Sequence, residues 1–330
     1  MRILFIHQYN TTFIRRDKRF LDEHYPIIDL DFSQKYQNFV GRFKQIFQIF
    51  QKMRKADIAL IWFADFPAFI ATLVGKITNK PTIVIIGGYE LANFPQYQYG
   101  ALQKPFSRWR VKKIIENATE ILVVDESLKL DAEKLLSKKL DKVRTVPTGY
   151  DSEKFCNIGE KENLILTVAA VSKISKAKLK GLEAFIASAK AMPQYKFIII
   201  GLQKDALQWA KNLAPENLII KSLISEDDLI KFYQKAKVYC QLSCREGLPN
   251  ALCEAMLCEC VPVGTKVNGI PKAIGDTGFY TEFNNAELTI SAIKQALEAD
   301  TGRQARKRLQ QLFPKSKRAE ELKAILGKYL

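Results

Sequence analysis

The sequence predicts an α/β protein made of two doubly wound parallel-sheet domains. Three observations carry this. The 330 residues exceed what one ordinary core organises. Short apolar runs alternate with helical patterns in both halves, as in parallel strands joined by crossover helices. A segment rich in breakers and charges, PTGYDSEKFCNIGEKE at Pro147–Glu162, separates the halves and reads as a linker. The expected division is 1–150, a linker at 151–162, and 163–313.

Composition narrows the class. At 47% hydrophobic and 26% charged residues the chain reads as globular. No apolar run approaches the length of about 20 residues that spans a bilayer. The opening run MRILFIHQYN is too short for a signal peptide and reads as a first core strand, which places the chain in the cytoplasm. The formal charge of +16 implies an anionic partner: nucleic acid, an anionic membrane surface, or a phosphorylated substrate. No nucleic-acid recognition motif with interleaved aromatics accompanies the charge, so nucleic acid is not the expected partner. Five of the six cysteines fall between Cys240 and Cys260, with no C-x-x-C pair and no nearby histidine. They read as reduced, buried small hydrophobes, and no metal is expected.

Taken in order, RILFIH (2–7) is a strand. The turn after it, Gln8 to Thr12 through Asn10, has no glycine, so a dinucleotide-binding turn is not expected there. From Ser33 to Ala56 there is no acidic residue but six basic ones: Lys35, Arg42, Lys44, Lys52, Arg54 and Lys55. Phe39, Phe43, Ile46, Phe50 and Met53 recur at helical spacing. This helix over 39–55 has two readings. It covers the first sheet with its aromatics, or it lies on an anionic membrane.

ADIALIWFA and PTIVIIGG are strands with the helix PAFIATLVGKITN between them. The second ends in Gly87-Gly88-Tyr89-Glu90 and the loop LANFPQYQYG. Ligands of open parallel sheets sit beyond the carboxyl ends of strands, so this loop is a candidate wall of an active cleft. Glu90 is its nearby titratable group. A basic helix (Arg108, Arg110, Lys112, Lys113), the strand EILVVD, a helix and the strand VRTVP complete the first half.

The second half opens with the strand NLILTVAAV. A lysine-rich loop (Lys173, Lys176, Lys178, Lys180) leads through Gly181 into the helix LEAFIASAKA. Lysines before a helix start suit a diphosphate. Strands KFIIIG, NLIIKSL and VYCQLS then alternate with helices. The stretch SCREGLPNALCEAMLCECVPVG follows. It reads as strand end, tight loop, helix and next strand. Its helix begins at Pro249 or Asn250. That helix start offers an anion site, and Glu246 and Glu254 bracket it, suited to sugar hydroxyls. The chain closes in a long charged helix that Pro314 should break or kink.

These residues resemble family 4 retaining glycosyltransferases. Glu246-x7-Glu254 inside EGLPNALCEAM, the following CVPVGTKVNGIPKAIGDTG, VPTGYDSEKF at the hinge and Lys180-Gly181 carry the resemblance in the right order. It implies the GT-B architecture, two Rossmann-like domains facing across a cleft, with the last helix (about 314–330) crossing back to the first domain. It also implies a nucleotide-sugar substrate, UDP- or GDP-linked, and no cofactor or metal. The acceptor is a glycan or lipid-linked. In this light Glu246 contacts the donor sugar and Glu254 the ribose. The turn Gly247, Leu248, Pro249 and Asn250 cradles the diphosphate, and Lys180 neutralises it. Lys173 and Leu223 join the donor set. Asn10, Gly87, Gly88, Tyr89 and Glu90 form the acceptor side, with Glu246, Lys180 and Glu90 nearest the chemistry. Where the family commonly has Gly-Arg, this chain has Ala169-Ala170.

Overall fold

The computed structural model describes residues 1–33 and 39–329, without the side chains of residues 39 and 40. Lys35 and the Phe39 side chain therefore lie outside what is described. The chain forms two compact units. Unit 1 holds residues 1–95, 99–149 and 316–330; unit 2 holds 96–98 and 150–315.

In unit 1 the order is β1 (Ile3–His7), α1 (Thr12–His24), β2 (Ile27–Asp31), α2 (Phe39–Met53), β3 (Ile58–Trp62), α3 (Phe66–Thr78), β4 (Thr82–Ile86), α4 (Pro105–Asn117), β5 (Glu120–Val123), α5 (Glu126–Leu136) and β6 (Val143–Thr145). All six strands pair in parallel in the order β2-β1-β3-β4-β5-β6. The strands β1, β3, β4 and β5 are buried along their whole length, which is why they read as continuous apolar runs. The sequence reading passed over α1 and β2. β2 (IIDLD) is an edge strand, mostly half-buried, with acids at alternate positions. Helix α1 buries only Ile14, Asp17 and Leu21.

The basic helix corrects an expectation. α2 buries Gly41, Gln45, Ile49 and Met53, spaced by four, while Phe43 and Phe50 are exposed. Phe43 and Phe50 therefore do not cover the sheet. The helix carries two stripes, and the one through Gly41, Gln45, Ile49 and Met53 packs inward.

In unit 2 the order is β7 (Glu162–Val168), α6 (Ile174–Leu179), α7 (Leu182–Ala191), β8 (Lys196–Ile200), α8 (Lys204–Leu213), β9 (Leu218–Lys221), α9 (Glu226–Lys235), β10 (Ala236–Gln241), α10 (Asn250–Leu257), β11 (Val261–Thr265), α11 (Ile270–Ile274), β12 (Phe279–Thr281), α12 (Ala286–Glu298) and α13 (Gly302–Leu312). Its six parallel strands run β12-β11-β10-β7-β8-β9. The core lies around β7, β8, β10 and β11, with Phe185, Phe197, Val238 and Val263 fully buried. Two helices start on matching caps: the Ser225 hydroxyl accepts the Asp228 amide, and Asn285 Oδ1 accepts that of Leu288.

Three details differ from expectation or sharpen it. The lysine-rich stretch is not a loop: Ile174–Leu179 is helix α6, because buried Ala177 and Leu179 give it a packing side. The segment after Gly149 is well anchored. Phe155 is buried, and Arg306 donates to the Phe155 and Ser152 carbonyls at 2.6 Å each. The closing helix breaks at Pro314 into α13 and α14 (Lys315–Leu326), and the Tyr150 amide donates to the Phe313 carbonyl at the break.

From Ser316 the chain belongs to unit 1. There Arg318 forms a buried pair with Asp17, Nε to Oδ1 at 2.9 Å and Nη2 to Oδ2 at 2.6 Å. Trp62 Nε1 donates to the same carboxylate at 3.0 Å, and Arg318 Nη1 donates to the Val146 and Pro147 carbonyls. Every strong donor and acceptor in this group finds a partner, as a buried ion pair requires.

Candidate functional site

The strands of each unit are parallel, so their carboxyl ends share one edge, where ligands of such sheets bind. In unit 2 that edge carries the Glu246 loop. Gln241 and Ser243 stand two residues apart at the end of β10 and so point the same way. Gln241 Nε2 and the Ser243 hydroxyl donate to Glu246 Oε1 at 2.8 and 2.6 Å. Lys180 Nζ donates to the same oxygen at 2.5 Å. Tyr239 O–H donates to Gln241 Oε1 at 3.2 Å, extending the chain of bonds into the core.

The backbone around this carboxylate is fixed from three directions. The Glu246 amide donates to Asn268 Oδ1 at 3.1 Å, and the Gly269 amide donates to the Gly247 carbonyl at 3.0 Å. The Thr265 hydroxyl donates to the Ser243 carbonyl at 2.6 Å. The Cys244 amide donates to the Leu179 carbonyl at 3.0 Å, docking the Lys180 turn on the end of β10. Gly181 follows with φ +72°, and a Cβ there would stand 2.1 Å from the Leu242 carbonyl oxygen. Only glycine lets the turn come this close, and that approach is what brings Lys180 to Glu246.

Helix α10 begins at Asn250 with Pro249 as its cap. Gly247, Leu248 and Pro249 are buried before it, and Glu254 is buried one turn inside it. Asn250 Oδ1 accepts from Tyr150 O–H at 3.0 Å, so the helix start is tied to the segment that leads into β7. Burial, and then the Glu254 charge, push the Tyr233 hydroxyl well up. Burial and the neighbouring Glu246 raise the Cys244 thiol to about 11, so it is a thiol near neutrality and poorly suited to act as a nucleophile. Among the described residues no group of His, Cys, Asp and Glu converges on a metal-binding geometry.

The remaining donor-side candidates sit on the same edge. Lys173 caps α6 and is exposed, Ala170 is exposed just beyond β7, and Leu223 is exposed beyond β9. Lys178 is paired with Glu183 at 2.9 Å. The sequence reading missed Gln241, Ser243 and Asn268. The alternation of Gln241 and Ser243 at a strand end was the available signal for the first two.

In unit 1 the carboxyl edge holds the acceptor-side candidates. Gly87 and Gly88 close β4, Tyr89 is exposed, and Glu90 is buried. The Glu90 carboxylate accepts the Ala64 and Gly87 amides at 3.3 Å each and the Gly88 amide at 2.9 Å. It thus pins the ends of β3 and β4 together. Burial raises its pKa. Asp65, which the sequence reading passed over between a strand and a helix, is pushed well up by burial and then by the Glu90 charge; Arg110 opposes the rise. Asn10 lines a polar pocket of about 540 Å³ with His7, Arg15, Lys18, Asp29 and Asp31. His7 Nε2 lies 3.2 Å from Asp29 Oδ1. Burial alone would raise Asp29, but hydrogen bonds from His7 and Lys18 hold it below the usual carboxylate range.

Asp65 yields a stability prediction. Its native pKa is raised, so the folded protein holds that proton better than the unfolded chain does. Its contribution to stability therefore falls as pH climbs from the unfolded value, about 3.9, through the raised native one. Asp65→Asn should flatten this fall and leave the protein more stable at neutral pH. Urea midpoints across pH measure it, and an unchanged slope would refute the assignment.

The chain resembles known proteins in sequence and in fold. Residues 151–312 match the family model described as Glycosyl transferases group 1. The capsular polysaccharide biosynthesis glycosyltransferase CapM of Staphylococcus aureus is 26% identical over 79% of this chain and 74% of its own length. A Campylobacter jejuni alpha-1,4-N-acetyl-D-galactosaminyltransferase, named for an undecaprenol-linked GalNAc-GalNAc-diNAcBac glycan, is 26% identical over 74% of this chain and 66% of its own length. The structure of Anabaena HepE in complex with UDP covers 99% of this chain and 100% of its own, with a TM-score of 0.77 at 14% identity. The fold is GT-B, two Rossmann-like parallel-sheet units, and unit 2 is a glycosyl transferases group 1 domain.

Proposed function

We propose that this glycosyl transferases group 1 protein is a retaining, metal-independent glycosyltransferase. It moves a sugar from a UDP- or GDP-linked donor to a hydroxyl of a lipid-linked or polysaccharide acceptor at the inner face of a membrane. The observation that carries the reading is the convergence of Lys180, Glu246 and the α10 N-terminus on one strand edge, inside the segment that matches the family. UDP in the HepE structure and the undecaprenol-linked glycan in the Campylobacter name support the donor and acceptor classes.

The chemistry follows from the charges. The donor diphosphate lies against the α10 N-terminus, whose backbone dipole and free amides favour an anion. Lys180 adds a point charge there, which stabilises the leaving diphosphate without a metal. Glu246, held by Gln241 and Ser243, orients the sugar hydroxyls, and Glu254 takes the ribose. The acceptor oxygen attacks the anomeric carbon on the face the nucleotide leaves. The bond from that carbon to the phosphate oxygen breaks as the new one forms. The departing phosphate oxygen takes the acceptor proton, so no side-chain nucleophile is needed. Asn10, Glu90 and the pocket beside them receive the acceptor.

The test is nucleotide release from a panel of UDP-, GDP-, ADP- and CDP-sugars, with and without chelator, followed by NMR of the product anomer. Release insensitive to chelator and a product of unchanged anomeric configuration are expected. Ala170 favours one other reading, a sugar-nucleotide-binding subunit without activity. That reading holds if a nucleotide raises the unfolding temperature but no conjugate is turned over.

Ala170 also gives a gain-of-function prediction. Ala170→Arg restores a cation where the resembled family has one, and a charge-assisted hydrogen bond contributes about 1.5–3 kcal/mol. Donor affinity by calorimetry should rise about tenfold or more. An unchanged affinity would place the diphosphate elsewhere.

A further inference from the structure

We propose that unit 1 seats on an anionic lipid surface through a continuous three-helix face made by α2, α3 and α4, not by α2 alone. The proposal deepens the reading of a lipid-linked acceptor. It starts from the stripe that α2 leaves outside. Phe43, Phe47 and Phe50 are all exposed, Phe47 by 65%. They are spaced by four and three residues and so share one side of the helix.

The stripe continues across the neighbouring helices. α2 packs on α3, and α3 packs on α4. The Arg42 guanidinium lies 5.4 Å from the centre of the Phe66 ring, bridging α2 to α3. On the far side Phe69 of α3 meets Trp109 of α4 with ring centres 5.4 Å apart, and Trp109 stacks on Phe106 at 5.6 Å. Phe106 is 61% exposed and Trp109 46%. Near the C-terminal end of α3, Ile77 is 81% exposed. An apolar and aromatic surface of this extent is uncommon on a protein that meets only water.

Charge decides what covers it. The three helices carry eight lysines and arginines and a single carboxylate, Glu116, which is paired with Lys113 at 2.7 Å. A second copy of the chain would set one cationic surface against another. An anionic bilayer offers opposite charge to the lysines and arginines and an apolar boundary for the aromatics. Tryptophan and phenylalanine ringed by cations suit the headgroup level.

The test uses the full chain with zwitterionic and with anionic vesicles, in flotation and in tryptophan fluorescence. Trp62 is buried, so in a Trp209→Phe background Trp109 is the exposed reporter. On anionic vesicles its emission should shift to the blue and be quenched by lipids brominated along the chain. Binding should weaken as salt rises. Phe47→Ser on α2 and Phe106→Ser on α4 should each lower vesicle affinity about tenfold. Both variants should keep the unfolding temperature and the rate of nucleotide release in solution, which separates failure of docking from failure of transfer. Binding lost in Phe47→Ser but kept in Phe106→Ser, with Trp109 unquenched, would overturn the three-helix face. So would equal binding to both vesicle types. A concentration-dependent dimer abolished by the same substitutions, without vesicle binding, would assign the face to a second copy instead.

Discussion

Lys180→Ala is expected to lower the turnover number about 10²- to 10³-fold while leaving the protein folded. The loss follows from the role of the ammonium. Its Nζ is hydrogen-bonded directly to Glu246, and in the proposed reaction it lies where charge develops on the departing diphosphate. Removing one such stabilising donor costs about 2.7–4 kcal/mol in the transition state. The fold should tolerate the change, because Glu246 Oε1 keeps its bonds from Gln241 and Ser243. Lys180→Arg restores the charge with a different shape and should recover part of the rate. Glu246→Gln should also reduce turnover, and the double variant should fall short of the product of the two losses, since the side chains act as one unit. Steady-state nucleotide release beside thermal unfolding measures all four. A Lys180→Ala rate within about threefold of the parent would remove this lysine from the mechanism.

The largest structural effect is expected at Arg318. Among the described residues, Arg318→Met leaves the buried Asp17 carboxylate with Trp62 Nε1 as its remaining side-chain donor, and breaking a buried pair in this way costs about 3–5 kcal/mol. It also strips the Val146 and Pro147 carbonyls of their donor. Unit 1 should then lose its urea resistance before unit 2 does, seen through Trp62 emission. Adding Asp17→Leu removes the stranded charge and should return part of the loss. If Arg318→Met unfolds within about 1 kcal/mol of the parent, the pair is solvated and not a structural tie.

Much of the fold was legible because parallel strands buried on both sides announce themselves as apolar runs. Elements that break this rule were not. β2 carries Asp29 and Asp31 on an exposed edge, and α1 looks like a solvated helix because its buried charge, Asp17, finds its partner about 300 residues later. No local pattern holds that information. In α2 the periodicity was legible but its direction was not, since a helix with two apolar stripes does not say which one packs inward. At the site, Glu246, Lys180 and the start of α10 stood out because glycine, proline and charge mark them in sequence. Their supports did not, because Asn268 and Thr265 approach from the end of a different strand. The lysines of α6 misled for a plain reason: charged residues on a one-sided helix resemble a loop when its buried face is only Ala177 and Leu179.

The Asp17–Arg318 tie also sets an order on synthesis. A chain leaving the ribosome presents residues 1–149 first, with Asp17 and Trp62 Nε1 in place but no cation to receive. Residues 150–315 form a unit of their own and can close as soon as they emerge. The first unit lacks this pair until residue 318 arrives, 301 positions after its partner. Domains generally fold as they are made, N-terminal first. Here the later-made residues 150–315 are complete before the earlier unit receives its last helix.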